Sequence, residues 1–479
     1  MKHSVGRAWV ACVAIAIAFA AISAPAFAQD TFYREMTIEG RIYVFASEPA
    51  LKAYEASKEL AVGTITRPGY GPNGETVVFD GPRAVEMYNA KHGKTEAPPK
   101  EAKVQDVKLP FDIKYRMPGL RFSFPKFELN WVNRMQLRYT YDDQDVVAPQ
   151  SNRGSFRIRR FKTKLDGWIY QKELTYEFQV NWVGVTLSDT NTVLVEDANL
   201  QYDFTGGAKA FMLKAGQYKA PFGRQELTSS GYQQFVDRSI ASALFAPARQ
   251  LGLQIGGQFG NSQVRDMVTY AGGIFNGNGI VGARTINEND KYEYVGRVMF
   301  SPFGNVGYSE SNLEHYDFRV SIGADYNNNN NLIVASDGTV TGVDNTGEWG
   351  ADIAIKALGG LFLYGEYYWR NLETCAPANP CASPSVGVTT PQQGATAQIG
   401  WLFGDHFEIA GRYSFTDVNT DRDDRNIEEW RGGLSYYINK HFWKIQTDFG
   451  VTENEAQNGA DGLPPRKNKE WRIQAQLMF

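Results

Sequence analysis

Five cationic side chains, Arg157, Arg159, Arg160, Lys162 and Lys164, fall within the stretch "RIRRFKTK". Like charges along one strand repel unless water or counter-charge faces them. Such a run suits a surface that meets water and mobile anions. Catalytic chemistry is poorly provided for. Beyond His3 the histidines are His92, His315, His406 and His441, the last three in or beside expected tight turns. A lipase-like site needs a serine and a histidine held together. Neither a Walker loop, nor zinc-ligand spacing, nor a glycine-rich phosphate loop occurs. These residues point away from an enzyme, and no cofactor or metal is expected.

The elements that would carry the cations are strands. On Phe127, Leu129, Trp131, Asn133, Met135, Leu137, Tyr139 and Tyr141, seven of eight odd positions are apolar, with Glu128, Asn130, Arg134, Gln136 and Arg138 between them. The same alternation recurs from Leu174 to Trp182 and from Trp471 to the terminal Phe479. A period of two gives a strand one apolar and one polar face. Sixteen such segments are expected, from 127–141 to 468–479. Their connections alternate, with "DDQDVVAPQSNRG" and "GVTLSDTN" long, "YQK" and "TGGA" short. Later, 327–346, 372–393 and 454–467 are long, whereas "KALGG", "GD" and "INKH" are short. A soluble β-sandwich has no reason to place its long loops on one side, but an outer-membrane barrel does. The expected fold is therefore all-β: a sixteen-stranded antiparallel transmembrane β-barrel. Trp131, Trp168, Trp182, Trp401, Trp430, Trp443 and Trp471 fall near expected strand ends, as an interfacial girdle requires. Phe479 resembles the terminal aromatic by which barrel-assembly machinery recognises such chains.

Residues 1 to 28 read as a secretory signal. Lys2 and Arg7 open it, Trp9 to Ala24 is apolar, and Ala26-Phe27-Ala28 is a small-residue cleavage pattern. A membrane anchor is the alternative, disfavoured by that apolar length. Without this segment the chain has 451 residues, with 47 basic against 53 acidic side chains and a net charge of −6. That balance argues against nucleic-acid binding. Cys375 and Cys381 in "CAPANPC" are expected to form a loop disulfide. A metal pair is the weaker reading, since no histidine lies nearby. Residues 29 to 93 read as a small α+β module in the periplasm. It has strand-like "RIYVF" and "TVVF", a helix capped by Ser47, and a helix capped by Asp80 that opens at Pro82 and stops at Gly93. Residues 94 to 119, with "EAPPKEAK", read as a linker, and 120 to 479 as the barrel.

From 213 to 253 the chain carries "GQYKAPFG", "ELTSS", an aromatic pair, "DRS" and "PARQLG" in order, after "RIRRFKTKLDG" and "VEDANLQY". In these motifs it resembles the phosphate-selective porin O and P family. The resemblance implies a porin, assembled as a homotrimer, whose third long loop folds inward as a constriction. That loop would be Lys219 to Ala248, with Tyr232, Phe235, Val236 and Ile240 as one helical face packed on the inner wall. It also implies an arginine path, matched here by Arg134, the pair Arg159–Arg160, and Arg238. The family's constriction lysine is matched by Glu226, a reversed charge, and 327–346 supplies no arginine. The expected lining set is Arg134, Arg159, Arg160, Lys162, Lys164, Arg238, Glu196 and Glu226. The expected function is passive passage of small solutes, anions and phosphate among them, across the bacterial outer membrane. Glu226 leads us to expect only weak anion preference and no tight phosphate site. Beyond solutes in transit, the expected partners are outer-membrane lipids. The alternative is a structural barrel that tethers a cell-wall-binding module.

Overall fold

The computed structural model describes residues 32–59, 63–94, 112–144, 152–183, 193–277, 279, 287, 291–334, 340–375, 387–423, 425–455 and 466–479. The expected signal segment lies outside them, as do Cys381 and the side chain of Cys375. Two compact units divide the chain, Met1–Val107 and Lys108–Phe479.

The first unit is built from two similar halves. Strands β1 (Arg34–Ile38) and β2 (Arg41–Phe45) lead into helix α1 (Glu48–Ser57). Strands β3 (Ile65–Arg67) and β4 (Thr76–Phe79) lead into helix α2 (Pro82–Lys91). Val44, Phe45, Ala50 and Tyr54 of the first half recur as Val78, Phe79, Ala84 and Tyr88 of the second. The aromatic pairs recur with them, Phe45–Tyr54 at 5.5 Å and Phe79–Tyr88 at 5.4 Å between ring centroids. The sheet order is β1-β2-β4-β3, with β2 and β4 parallel. Asp80 does not cap α2, whose N-cap is Gly81; its carboxylate instead accepts from the Ala46 N–H at 3.0 Å. Tyr33, His92 and Lys91 all reach Glu35, the latter two at 2.9 and 3.2 Å. Burial pushes the Glu35 carboxyl up, but these hydrogen bonds outweigh it and hold the pKa below the ordinary glutamate value.

The second unit opens with a hairpin, β5 (Asp112–Arg116) and β6 (Gly119–Phe124), within what reads in sequence as linker. The expected linker 94–119 is therefore corrected: its C-terminal part is sheet, and alternation there is hidden by Lys114, Arg116 and Arg121 on short strands. Strands β7 (Phe127–Gln144), β8 (Asn152–Ile169), β9 (Gln171–Asn181) and β10 (Leu194–Asp203) follow. Next come β11 (Met212–Lys219), β12 (Arg249–Phe259), β13 (Val268–Phe275) and β14 (Glu293–Phe300). Then come β15 (Phe318–Val334), β16 (Val340–Ala357), β17 (Leu361–Cys375) and β18 (Gly387–Phe403). The last four are β19 (Phe407–Asp417), β20 (Asn426–Asn439), β21 (Trp443–Asn454) and β22 (Arg466–Met478). Each pairs antiparallel with the next, and β22 pairs with β7, so β7 to β22 close a sixteen-stranded barrel.

Phe479 sits at the seam. Its N–H donates to Asn133 O at 3.0 Å, and the Asn133 N–H donates back at 2.7 Å. β22 stops there, and β6 continues along the same edge of β7, from Leu120↔Trp131 to Phe124↔Phe127. The hairpin thus covers the strand edge that the chain end leaves unpaired. The period of two sorts the side chains as the fold requires. Arg134, Gln136 and Arg138 of β7 and Arg472, Gln474 and Gln476 of β22 are buried in the lumen, while Trp131, Leu137, Tyr141 and Phe479 are exposed. Trp182, Trp401, Trp430 and Trp443 are exposed as well.

Two loop expectations change. The long 327–346 connection is mostly strand: Asn327 to Val334 pairs with Val340 to Glu348, because the asparagine run can extend a ladder into water. The alternation of long and short connections also fails once. Between β14 and β15, on the short-turn side, residues 301–317 fold into the lumen and bury Val306, Glu310, Ser311, Asn312 and Leu313.

Candidate functional site

Two β-bulges set the charge pattern of the inner wall. Gln136 faces Arg160 and Leu137 faces Ile158, so Arg159 is the extra residue on β8. A bulge shifts the phase of the strand, and both members of the Arg159–Arg160 pair turn inward while Phe156 and Ile158 stay on the outer face. On β10, Val195 faces Val180 and Asp197 faces Gln179, leaving Glu196 as the extra residue. Glu196 and Asp197 are consequently both buried in the lumen.

Residues 220 to 248 pass inward from the end of β11, as the family resemblance implies. Only Arg224–Leu227 (α3) and Ile240–Phe245 (α4) are helical. Tyr232, Phe235 and Val236 are not helical, which corrects the expected helical face. Phe235 and Val236 are nevertheless buried, and the segment is fixed by side chains of the wall. Arg134 donates to Ser229 Oγ at 2.8 Å and Ser230 Oγ at 3.1 Å. Val236 N donates to Asp448 at 3.0 Å, and Gln234 donates to Glu408 at 2.6 Å.

Asp237 lies at the centre of the cations. Its carboxylate is 2.5 Å from Arg138, 3.3 Å from Arg160, 3.5 Å from Arg472 and 3.8 Å from Arg159. One carboxylate thus faces four guanidiniums. Glu226 is held by Arg238 at 3.0 Å and by Lys219, at the end of β11, at 3.6 Å, so its charge is met by neighbouring cations. Lys162 pairs with Glu196, and Arg249 grips Asp197 through two hydrogen bonds of 3.0 and 2.8 Å. Among the described residues Arg157 has no ion-pair partner.

Seven of the eight expected lining residues come together around one cavity of about 240 Å³. Its cations are Arg134, Arg159, Arg160, Lys162, Lys219, Arg238 and Arg249, against the carboxylates Glu196 and Glu226. Lys164 lies toward the short-turn side, where it pairs with Glu177 at 3.1 Å and lines a neighbouring cavity of about 450 Å³. Arg134, Lys162, Lys219, Ser229 and Arg249 border both cavities. Sequence reasoning missed Asp237 and Arg249, although "DRS" and "PARQLG" contain them. Nothing local marks a side chain whose role comes from four partners on other segments.

The opposite wall is different. Carboxylate oxygens of Asp325, Asp352 and Glu366 lie within 4.8 Å of one another. Arg297 pairs with Asp325 and Asp352 at 2.6 and 2.7 Å, Arg224 pairs with Asp352 at 2.6 Å, and the Arg224 N–H donates to Glu366 at 2.5 Å. Guanidinium groups take the place that a metal ion would need.

This geometry agrees with the comparisons. The family model for phosphate-selective porin O and P matches residues 134–479, and the chain belongs to that family. It is an outer-membrane porin. Among solved structures, the outer-membrane channel DcaP of Acinetobacter baumannii superposes with a TM-score of 0.50 at 8% identity, covering 74% of this chain and 99% of that one. An anion-selective porin from Comamonas acidovorans gives 0.48 at 12% identity, over 73% and 99%. Outer-membrane expressed OmpT of Vibrio cholerae gives 0.47 at 10%, over 77% and 100%. At these identities the likeness concerns the fold. No curated protein matches in sequence.

Proposed function

We propose that this porin passes small anions, inorganic phosphate among them, along the wall formed by β7 to β12. The observation that carries the reading is the excess of cations around the cavity of about 240 Å³, seven against two carboxylates. An anion entering from the long-loop side meets Arg157, Arg159, Arg160, Lys162 and Lys164 in descending order over about 20 Å of strand. Most of these cations already have partners, and Asp237 competes for two of them, Arg159 and Arg160. The selectivity is therefore a preference rather than tight capture. In this reading the chain assembles as a homotrimer, Phe479 is presented to the barrel-assembly machinery, and the N-terminal module lies in the periplasm.

The test is the reversal potential of the purified protein in planar bilayers under a KCl gradient. Chloride should be favoured at low ionic strength, and the preference should shrink toward 1 M salt as the Debye length falls to about 3 Å. Millimolar phosphate should reduce chloride conductance. Cation preference at low salt would overturn the reading, and block by micromolar phosphate would overturn the weak-preference part of it.

A further inference from the structure

A turn of a few residues is enough to join adjacent antiparallel strands, yet residues 301–317 run into the lumen from the short-turn side. Their polar groups reach for the loop that descends from the other end. Glu310 N donates to Tyr232 O at 2.9 Å, while the Glu310 carboxylate accepts from Gln234 N at 2.7 Å and from Gln225 at 3.2 Å. Arg224 donates to Gly307 O at 2.8 Å. Apolar contacts complete the closure: Val306 packs with Ala354, Phe362 and Tyr364, and Leu313 packs with Leu402 and Tyr437.

We infer that 301–317 is a second constriction element, which joins the inward loop to seal the acidic wall of the lumen and so confines solutes to the basic wall. The inference rests on the anion-porin reading for its consequence, but the seal itself does not depend on that reading. Behind the two segments stand Asp325, Asp352, Glu366 and Glu408, with Arg297 paired to Asp325 and Asp352 and Arg224 paired to Asp352. The cavity where Arg224, Gly307 and Glu310 meet Ala354 and Phe362 of this wall is about 10 Å³, against about 240 and 450 Å³ for those on the basic side. A void of about 10–15 Å³ holds one water at most, too little for a hydrated ion. Carboxylates that would attract cations are thereby removed from the permeation path. Anion preference then arises from hiding one wall as well as from displaying the other.

Two measurements on the full chain test this. In the first, residues 303–314 are replaced by a short Gly-Ser linker and single channels are recorded. Conductance should rise by about two-fold or more, and reversal potential should move toward cation preference. Unchanged conductance, or stronger anion preference, overturns the proposal. The second measurement keeps 301–317 intact, and it decides the matter even if the replacement does not fold. In a Cys375→Ser, Cys381→Ser background, Ser229→Cys should react with a membrane-impermeant methanethiosulfonate reagent at least about tenfold faster than Ala354→Cys, which lies behind the seal. Equal rates overturn it. Cation preference of the wild type would sink the anion reading alone, because the labelling result does not depend on it.

Discussion

Arg160 and Arg297 both sit inside the barrel, nearly withdrawn from solvent, and both lie within ion-pair distance of an aspartate. Nη1 of Arg297 donates to both oxygens of Asp325 at 2.6 and 2.8 Å while Nη2 meets Asp352, and both carboxylates are fully buried. Arg160 shares Asp237 with three other arginines, and that carboxylate keeps 23% of its surface exposed. The same two residue types therefore do different work. On the sealed wall, guanidinium and carboxylate groups interlock and leave no room, so the pairs act as braces. On the basic wall, cations outnumber carboxylates beside a cavity of about 240 Å³, which in the proposed reading leaves a net field for a passing ion. Stoichiometry and space, rather than residue type, separate a structural ion pair from a permeation site.

The strongest way to break this comparison is to treat a brace as if it were a lining residue. Arg224→Ala leaves Asp352 with one cation and removes the donor to Gly307 O. Breaking a buried pair from one side costs about 3–5 kcal/mol, which should appear as a lower urea midpoint of the folded barrel. Glu310 still ties 301–317 to the inward loop through Gln225 and Gln234, so the reversal potential should stay at the wild-type value. A selectivity change without a stability change would mean that the sealed wall conducts.

Reversing the bulge pair should do the opposite. Arg159→Glu with Arg160→Glu turns two inward cations into anions. Charges at 4 Å interact by about 1 kcal/mol in water and about 4 at an effective dielectric of 20. The permeability ratio should therefore change by tenfold or more, since about 1.4 kcal/mol is a factor of ten. The sign of the reversal potential at low salt should invert. Retained anion preference would show that the ladder is not in the path.

Asp237→Asn sharpens the comparison from the carboxylate side. It frees Arg138, Arg159, Arg160 and Arg472 from their shared counter-charge. Chloride preference and phosphate block should strengthen by a few-fold, up to about tenfold, measured in the same bilayers. Weaker anion preference would mean that Asp237 mainly positions the arginines.

The smallest effect is expected in the N-terminal unit, where Glu35 is held by hydrogen bonds from Tyr33, His92 and Lys91 without a sealed lumen around it. Its pKa is lowered in the folded state, so its contribution to stability is present above the ordinary glutamate value and is lost as pH falls through the folded value. Protection factors of the α2 amides in the full chain, taken relative to the intrinsic exchange rate at each pH, should fall modestly below about pH 4.5. Loss of protection confined to pH above 6 would point away from Glu35.

Much of the barrel was legible because its signal is local. Apolar and polar residues alternate from Phe127 to Tyr141 and from Trp471 to Phe479 wherever one face meets lipid and the other water, and each of the sixteen expected segments coincides with a strand. The cationic character of β8 was equally plain in "RIRRFKTK". Other features were hidden because they depend on partners distant in sequence. A bulge at Arg159 or Glu196 exists only relative to the strand opposite. The hairpin Asp112–Phe124 is defined by the edge of β7 that Phe479 leaves free. Asp237 becomes central only when Arg138, Arg160 and Arg472 converge on it from three strands. The inward course of 301–317 is decided by where Glu310 finds Gln225 and Gln234. The sequence by itself determined which residues face water and which face lipid, since a two-residue period needs no partner. Only the tertiary structure decided which of the water-facing charges remain open to an ion, because pairing and packing are properties of the closed barrel.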